Sequence, residues 1–305
     1  MMKILVTGAN GQVGQEFLRI ANDMSLAPIR QFELVCFDRI GLDITDTQHV
    51  VSVFEVQRPH LVINCAAYTA VDKAESDREA AFAVNETGAR NLALQCRKVG
   101  AALIHISTDY VFSGDKAEPY DEIDATGPSG AYGESKLAGE SAIAEVLKQY
   151  IILRTAWVFG ADGKNFVKTM LRLAIERDEI SVVGDQFGAP TSSKGIADCC
   201  MEIASQINVG SSSELRWGIY HFSGAPFTSW HGYSHSIFKA ALDLGLIDKV
   251  PKIKAISTDQ FPTSAKRPVS SKLNCNKIFR YFSVLPDDWV NQLRIILEDK
   301  KISQQ

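Results

Sequence analysis

Residues 3–14 read Lys-Ile-Leu-Val-Thr-Gly-Ala-Asn-Gly-Gln-Val-Gly, an apolar run that leads into glycines at positions 8, 11 and 14. The run predicts a buried strand, and the apolar spacing of Phe17, Leu18 and Ile20 predicts a helix after the turn. Glycines allow a tight turn, close approach to a pyrophosphate and close helix–strand packing, and a helix start offers free N–H groups to phosphate. A turn of purely structural purpose is the alternative. We expect a dinucleotide-binding unit with these candidate residues: Gly8, Asn10, Gly11, Gln12, Val13 and Gly14.

The second predicted strand, Glu33–Phe37, ends at Asp38-Arg39. An acidic residue at this point can bind the adenosine ribose hydroxyls, whereas an arginine can bind a 2′-phosphate. Because both are present, the sequence leaves the choice between NAD and NADP open. Asp43 and Ile44 are candidates to flank the adenine, and Asp46 is expected to cap the next helix.

Small residues follow the third predicted strand in the run Leu61–Ala67. They allow a flat or phosphate-bearing ligand to approach the strand end, although tight core packing would use the same residues. Cys65 is interpreted as a small buried hydrophobe rather than a reactive thiol. Ala66, Ala67 and Tyr68 complete the set of candidate cofactor residues.

Polar side chains follow the fourth predicted strand, Ala102–Ile106. Catalytic groups in open parallel sheets gather at the carboxyl ends of strands. Thr108 is therefore placed to hydrogen-bond a substrate oxygen, and Asp109 to bind a substrate hydroxyl or assist proton transfer. An ordinary turn at a strand end is the alternative. His105 is expected to be a satisfied core histidine and not a base.

Tyr132 and Lys136 are four residues apart, so on a helix they share one face. A phenol has an ordinary pKa of about 10, and a nearby cation is expected to lower that pKa. Such a tyrosine can exchange a proton with a C–O group that is being reduced or oxidised. Spaced pairs of this kind are common by chance, but this one follows a dinucleotide-binding signal. Tyr132 and Lys136 are therefore predicted to be catalytic.

Strands alternate with helices through about residue 185, which predicts an α/β fold with a Rossmann-type, doubly wound parallel sheet. A fifth strand, Tyr150–Arg154, leads to Trp157. This side chain could form one wall of a site for a sugar or base, or it could pack in the core. Residues 1–160, with parts of 161–250, are predicted to form the dinucleotide-binding domain. Interleaved segments of about 161–305 are predicted to form a smaller C-terminal substrate lobe. Within that part we expect a loop at Ser211–Glu214, a strand at Trp217–Phe222, and helices at Trp230–Leu244 and Asp287–Glu298.

The composition limits the possible settings. The chain has 305 residues, of which 46% are hydrophobic and 22% charged, and a net charge of −4. That charge offers no footprint for nucleic acid, and no apolar stretch is long enough to span a bilayer. Six scattered cysteines do not suggest a disulfide scaffold. We expect a cytoplasmic protein with a small-molecule substrate.

These motifs resemble the extended short-chain dehydrogenase/reductases, and more closely the dTDP-4-dehydrorhamnose reductase family. The resemblance covers most of the chain, to about residue 295. The strings that carry it beyond the glycine turn and the Tyr/Lys pair are Ala70–Glu75, Ser107–Phe112, Arg154–Trp157, Asn165–Arg172, Asp185–Thr191 and Lys266–Pro268.

The resemblance implies reduction of dTDP-4-dehydro-L-rhamnose to dTDP-L-rhamnose with NADPH or NADH, the last step of activated rhamnose synthesis. It implies that Tyr132 donates the proton, that Lys136 binds the nicotinamide ribose and that Thr108 polarises the C4 carbonyl. It also implies a sugar pocket, with Arg267 at the nucleotide end. The substrate-binding candidates are Val71, Asp72, Thr108, Asp109, Tyr110, Trp157 and Arg267.

Some members of this family hold Mg²⁺ between the subunits of a dimer. Glu16 matches one acidic ligand, but the position of another is occupied by Lys194, and a cation there would repel a metal. Mg²⁺ is therefore doubtful, and a homodimer stays possible. Two functional alternatives also stay open. One is another NDP-4-keto-6-deoxysugar reductase, epimerase or dehydratase. The other is a non-catalytic NADP-binding regulatory subunit like that of methionine adenosyltransferase.

Overall fold

A parallel sheet forms the centre of the computed structural model, which describes residues 1–23, 32–207 and 217–302. The strands in these ranges are β1 (Met2–Thr7), β2 (Phe32–Phe37), β3 (Leu61–Asn64), β4 (Ala102–Thr108), β5 (Tyr150–Thr155), β6 (Val158–Phe159), β7 (Glu179–Val183), β8 (Phe187–Gly188), β9 (Thr191–Ser192), β10 (Gly218–His221), β11 (Gly224–Ala225), β12 (Thr228–Ser229), β13 (Lys252–Ile256) and β14 (Asp287–Asp288).

The α-helices are α1 (Gln12–Asn22), α2 (Thr47–Gln57), α3 (Val71–Ala74), α4 (Arg78–Phe82), α5 (Ala89–Val99), α6 (Ala131–Val146), α7 (Phe166–Glu176), α8 (Ser193–Gln206), α9 (Trp230–Asp243), α10 (Asn276–Phe282) and α11 (Trp289–Ile302). A π-helix joins α4 to α5 (Ala83–Gly88), and 3₁₀ turns occupy Asp109–Val111 and Thr258–Gln260. The loop predicted at Ser211–Glu214 lies outside the described residues.

The six strands of the central sheet run in the order β10-β5-β4-β3-β1-β2, all parallel. The chain passes from β1 to its neighbour β2 on one side and then returns to β3 on the other. A crevice therefore opens at the carboxyl ends of β1 and β3, which is where open α/β sheets bind their ligands. The predicted Rossmann-type α/β fold is confirmed.

Successive residues of β1 face opposite sides of the sheet, as a strand requires. Ile4 and Val6 pack with α1, α8 and α10, whereas Leu5 packs with α2, α5 and α6. All three side chains are fully buried, which explains why the run is apolar without alternation. Helices therefore cover both faces of the sheet.

A second core lies among α7, α9, α11, β7 and β13. The strands β7 and β13 pair in parallel although about 70 residues separate them. Segments of the two cores alternate along the chain, because α8, β10 and α10 pack in the first core. This interleaving supports the two-lobe arrangement, while the exact domain limits stay a prediction.

Among the described residues, no helix is both long and apolar enough to cross a membrane.

Candidate active site

The glycine turn lies at the crevice, and its glycines are required by close contacts. Gly8 adopts a positive φ of 70°, and a Cβ on it would lie 2.6 Å from the backbone nitrogen of Ala66. A Cβ on Gly14 would lie 2.2 Å from the carbonyl oxygen of Gly8. Gly11 is the N-cap of α1 and supplies no side-chain cap. The N–H groups of the first turn are therefore free to bind an anion, as a pyrophosphate requires.

A cavity of about 280 Å³ extends from this turn along the ends of β1, β2 and β3. It brings together most of the predicted cofactor residues: Gly8, Asn10, Gly11, Arg39, Asp43, Ile44, Ala66, Ala67 and Tyr68. The residues present fit a dinucleotide, since the cavity ends in an unblocked helix start and in glycines whose added Cβ atoms would clash. Thr45 and Cys65 also line it and were not predicted to do so.

The two candidates for the adenosine ribose differ in their surroundings. Asp38 lies outside the cavity lining, because its carboxylate accepts from Asn10 Nδ2 (3.0 Å) and from the Gly41 N–H (2.9 Å). Arg39 lines the cavity, with 81% of its side chain exposed and its Nε 3.3 Å from Asp43. Burial acts to raise the pKa of Asp43, but two hydrogen bonds from Thr45, together with Arg39, lower it overall. The cation at this end is thus accessible, while the carboxylate of Asp38 is already bonded.

A second cavity of about 560 Å³ adjoins the first, and the two share Asn10, Gly11, Cys65 and Ala67. Its lining includes two further cofactor candidates, Gln12 and Val13. It also includes the predicted catalytic residues and most of the substrate candidates: Val71, Thr108, Asp109, Tyr110, Tyr132, Lys136 and Trp157. Lys164, which no sequence motif indicated, lines it too. The carboxyl ends of β4 and β5 and the start of α6 meet here.

Thr108 and Asp109 follow β4 directly. The Thr108 hydroxyl lies 3.0 Å from Asp109 Oδ1, and Asp109 Oδ2 is buried without a hydrogen-bond partner. Burial raises the pKa of Asp109 to about 6, against the hydrogen bonds from Ser271 and Thr108. An unpaired buried carboxylate oxygen at a cavity wall is suited to accept a hydrogen bond from a ligand hydroxyl.

Tyr132 and Lys136 lie on α6, as predicted, but their electrostatics differ from the prediction. Burial raises the pKa of Tyr132, with smaller contributions from Asp109 and Tyr110, and the hydrogen bond with Thr108 only partly offsets them. The Lys136 Nζ is bonded instead to the Ile106 carbonyl (2.7 Å) and to His105 Nε2 (3.2 Å), and burial dominates the pKa of Tyr132. The expected lowering of the Tyr132 pKa is therefore wrong for this arrangement.

Asn85 in the π-helix, which no sequence motif indicated, links Tyr68 in the lining of the first cavity to Ser135 on α6. Its side chain bonds both the N–H (2.8 Å) and the carbonyl (3.1 Å) of Tyr68, and it donates to Ser135 Oγ at 2.9 Å. π-Helical turns are frequent at functional sites. Gly139 allows the contact, because a Cβ there would lie 2.0 Å from the Asn85 carbonyl. No local pattern in the sequence signals this contact.

Trp157 is held in a strained backbone conformation, with φ of 50°, and stacks on Trp230 at a centroid distance of 3.6 Å. A positive φ is unusual for a bulky residue and persists only where the surroundings impose it. The stack joins the end of β5 to α9 in the second core. Trp157 thus lines the cavity and also packs, so both of the predicted alternatives hold.

Arg267 and Asp72 form an ion pair at the edge of the site and line neither cavity. Asp72 also accepts from the Ala265 N–H at 3.1 Å, and Arg267 Nη1 lies 3.4 Å from the Tyr110 hydroxyl. The segment around residue 267 is therefore fastened beside the cavity through Tyr110.

The Mg²⁺ site of some family members does not fit this chain. Glu16 accepts from Ser193 Oγ (2.8 Å) and pairs with Arg19 (2.9 Å), and Lys194 pairs with Asp198. The structure describes no group of three or more His, Cys, Asp or Glu residues that could hold a metal ion. The cations Arg19 and Lys194 therefore pair with carboxylates that a metal ion would need to be free.

Comparison with known proteins gives a consistent result. Residues 2–302 match the family model described as RmlD substrate binding domain. A dTDP-4-dehydrorhamnose reductase of Aggregatibacter actinomycetemcomitans is 42% identical, over 97% of this chain and 98% of its own length. The enzyme of the same name from Escherichia coli K12 is 41% identical, over 94% of each chain.

Solved structures agree with these relatives. A dTDP-4-dehydrorhamnose reductase of Bacillus anthracis in complex with NADP superposes with a TM-score of 0.87, at 38% identity over 98% of this chain and 100% of that one. A UDP-glucose 4-epimerase of Thermus thermophilus superposes with a TM-score of 0.76 at 20% identity over 97% of this chain and 98% of that one. The epimerase therefore shares the fold alone.

Proposed function

This chain belongs to the RmlD substrate binding domain family, and from that premise we propose that it reduces the C4 ketone of dTDP-4-dehydro-L-rhamnose to give dTDP-L-rhamnose. The reductant is NADPH or NADH, and the reaction is the last step of activated rhamnose synthesis. One observation carries the proposal: Thr108, Tyr132 and Lys136 line one cavity in a chain about 40% identical, along nearly its whole length, to reductases of this name.

The coenzyme would lie across both cavities. The N–H groups at the start of α1 would hold its pyrophosphate, Arg39, Asp43 and Ile44 would contact its adenosine end, and Lys136 and Tyr132 would contact the nicotinamide ribose. When bound, it supplies the hydride that reduces the ketone carbon. Asp38 is already bonded to Asn10 and Gly41, whereas Arg39, although paired with Asp43 through Nε, is exposed and can meet a 2′-phosphate. These contacts support NADPH as the preferred coenzyme.

Tyr132 would donate the proton to the oxygen that gains charge. A raised pKa keeps the phenol protonated at neutral pH, which is the form a donor needs. The Thr108 hydroxyl would bind the same oxygen and align the carbonyl. Asp109, with one free carboxylate oxygen, would accept a hydrogen bond from a hydroxyl of the sugar ring. Donors fixed before the reaction stabilise developing charge better than water does.

The sugar would contact Val71, Tyr110 and Trp157 along the cavity wall. Tyr110 packs edge-on against Tyr132 at a centroid distance of 5.4 Å, so the sugar contacts and the proton donor are held together. Asp72 and Arg267 would act at the nucleotide end of the substrate. There a diphosphate could compete with Asp72 for the guanidinium fork.

The test is coenzyme oxidation, followed at 340 nm, with enzymatically made dTDP-4-dehydro-L-rhamnose, and product identification by mass and NMR. We expect dTDP-L-rhamnose and faster turnover with NADPH. A different product from another 4-keto-6-deoxy sugar would identify a relative of this reaction. NADP binding with no turnover of any keto sugar would indicate a regulatory role and would contradict the proposal.

The finer setting is also proposed. A cytoplasmic location is supported by six free thiols, which reducing compartments preserve. A homodimer is supported by the groove of about 810 Å³ between α1, α7, α8 and α11, which could receive a second copy. Sedimentation of the purified chain tests the second point, and a single species of 33.5 kDa would contradict it.

A further inference from the structure

A row of buried polar side chains runs beneath the active site, from β1 through β3 and β4 to α6. Thr7, Asn64, His105 and Lys136 are each at most 1% exposed. The hydrogen bonds that join them are Thr7 Oγ1 to Asn64 Oδ1 (2.6 Å), Asn64 Nδ2 to His105 Nδ1 (2.9 Å) and His105 Nε2 to Lys136 Nζ (3.2 Å). The proposed function uses Lys136 at the end of this row but gives no role to Asn64 or His105.

The orientation of the Asn64 amide is determined by a backbone donor. The Ala66 N–H lies 3.1 Å from Asn64 Oδ1, and an N–H can only donate. Oxygen must therefore face Ala66, and the Asn64 NH₂ group must face His105. A flipped amide would set two donors against each other at Ala66 and is excluded.

The tautomer of His105 follows from the same reasoning. Its Nδ1 accepts from the Asn64 amide, so it carries no hydrogen, and the proton of the neutral ring must be on Nε2. Burial, and then the neighbouring Lys136, lower the pKa of His105 and keep the ring neutral. The Nε2–H is thus directed at Lys136 Nζ.

An ammonium group at Lys136 would meet this N–H donor to donor, because an ammonium has no lone pair. A neutral amine has one lone pair, which can accept from His105 Nε2–H, and it can still donate to the Ile106 carbonyl at 2.7 Å. The surroundings therefore satisfy the amine and oppose the ammonium.

We propose that Asn64 and His105 act as positioning residues for Lys136. The Asn64 amide holds His105 as its Nε2–H tautomer, and that N–H is directed at the lysine amine. The pair keeps Lys136 close to the point of losing its proton in the free enzyme. When acceptor oxygens of the coenzyme ribose replace His105, an amine at Lys136 takes up a proton from solvent and holds it as an ammonium. The kinetic consequence rests on the proposed function, whereas the tautomer does not.

Other titratable groups near Lys136 act in known directions. Glu140 on α6 and Cys65 after β3 raise the lysine pKa, while burial, the largest effect, lowers it to about 8. The effect of Glu140 is offset by Arg154 on β5, whose Nη2 lies 2.7 Å from the Glu140 carboxylate. Tyr132, one turn earlier on α6, is protonated at neutral pH and adds no charge.

The first experiment is ¹⁵N NMR of histidine-labelled wild-type protein without substrate. Ring ¹⁵N shifts separate the two neutral tautomers, and the chain supplies an internal control in His221. That buried ring places Nδ1 3.1 Å from the Tyr120 carbonyl, so its proton is on Nδ1. We expect one buried histidine of each tautomer, with the Nε2–H signal absent in His105→Gln. Two Nδ1–H signals would overturn the proposal.

The second experiment changes the amide. Asn64→Asp keeps the acceptor for Thr7 and Ala66 but replaces the donor to His105 with an acceptor. The His105 signal should then move to that of the Nδ1–H tautomer. A merely structural role of Asn64 would not produce this shift. An unchanged Nε2–H signal would contradict the proposal.

The third experiment measures kcat/KM for NADPH against pH, which reports ionisations of the free enzyme. In wild type the fall on the alkaline side should lie near pH 8, the Lys136 value. In His105→Gln the new side-chain carbonyl can accept a hydrogen bond from an ammonium at Lys136. The alkaline fall in kcat/KM should therefore move up by about one pH unit, a tenfold change in proton affinity. His221→Gln should leave it in place. A folded His105→Gln variant with an unmoved limb would overturn the proposal.

Discussion

At the scale of single residues, Tyr132 is the group on which turnover depends most. A positioned proton donor contributes about 10²–10⁴-fold in rate, so Tyr132→Phe should lose turnover by that factor. It should keep most of its affinity for NADP, because the contacts of the pyrophosphate and of Lys136 remain. The measurement is steady-state kinetics together with coenzyme titration by fluorescence. Tyr150→Phe, a substitution at the distant start of β5, is the matched control. Normal turnover in Tyr132→Phe would remove the donor role.

Asp109 is expected to exchange stability for function. Its pKa, raised to about 6 by burial, means that the fold favours the neutral acid. Above pH 6 the ionised Asp109 therefore lowers the free energy of unfolding. This destabilisation disappears as the pH falls towards the ordinary pKa of about 4. Asp109→Asn should accordingly raise stability at pH 7.5, by up to about 3 kcal/mol, with a smaller gain at pH 4.5, while activity falls.

Thermal unfolding at several pH values checks this prediction, and Asp115→Asn is the control of opposite sign. A hydrogen bond from Ser113 and one from its own backbone lower the pKa of Asp115, so its neutral replacement should not stabilise the protein. An Asp109→Asn variant that is less stable at every pH would contradict the assignment of a buried, unpaired carboxylate.

Arg39 should decide between the coenzymes. Arg39→Gln removes the positive charge proposed to bind the 2′-phosphate. A charge-assisted hydrogen bond contributes about 1.5–3 kcal/mol. KM for NADPH should therefore rise by about 10- to 100-fold, while KM for NADH changes little. Arg90→Gln, which removes a surface partner of Glu145, is the control. Equal effects on both coenzymes would indicate a different contact.

At the scale of elements, a buried ion pair holds α6 against the sheet. Arg154 on β5 donates to Glu140 on α6 through Nε (3.0 Å) and Nη2 (2.7 Å), and Ser107 on β4 donates to the same carboxylate. Both charged side chains are at most 3% exposed. The pair therefore sets the position of the helix that carries Tyr132 and Lys136.

Glu140→Gln should destabilise the fold by about 3–5 kcal/mol, because it leaves a buried guanidinium without its counter-charge. The double change Glu140→Met with Arg154→Met should cost less, since it removes both charges. Urea unfolding measures both. Glu145→Gln, in an exposed pair with Arg90, should cost less than about 1 kcal/mol. A Glu140→Gln loss as small as that of the control would show that the pair contributes little.

At the scale of the whole molecule, the stability and assembly of the protein at the groove that includes α1 and α8 should not depend on a metal ion. Arg19 and Lys194 already neutralise Glu16 and Asp198 there. Addition of EDTA or Mg²⁺ should therefore change neither the melting temperature nor the sedimentation of the protein. Lys194→Glu removes one of these cations and should make the melting temperature respond to Mg²⁺. A metal-dependent mass in wild type would contradict the prediction.

The sequence could predict those features that depend on neighbours in the chain. The Asp46 cap of α2 is confirmed, because a helix N-cap requires a short polar side chain two or three residues before free N–H groups. The placement of Tyr132 and Lys136 on one helix, with Thr108 after β4, also follows from local period. The raised pKa of Tyr132 could not be predicted, since it depends on what surrounds the phenol in space.

By itself the sequence determined the Rossmann-type fold, the glycine turn and the residue types of the site, because strand and helix periods and turn geometry are short-range properties. Which groups meet depends on the folded chain: Asn85 with Ser135, Trp157 with Trp230, and Asn64 with His105 and Lys136. Strand register and the rotation of α6 set those contacts. Both result from packing of segments far apart in the chain, which no local pattern encodes.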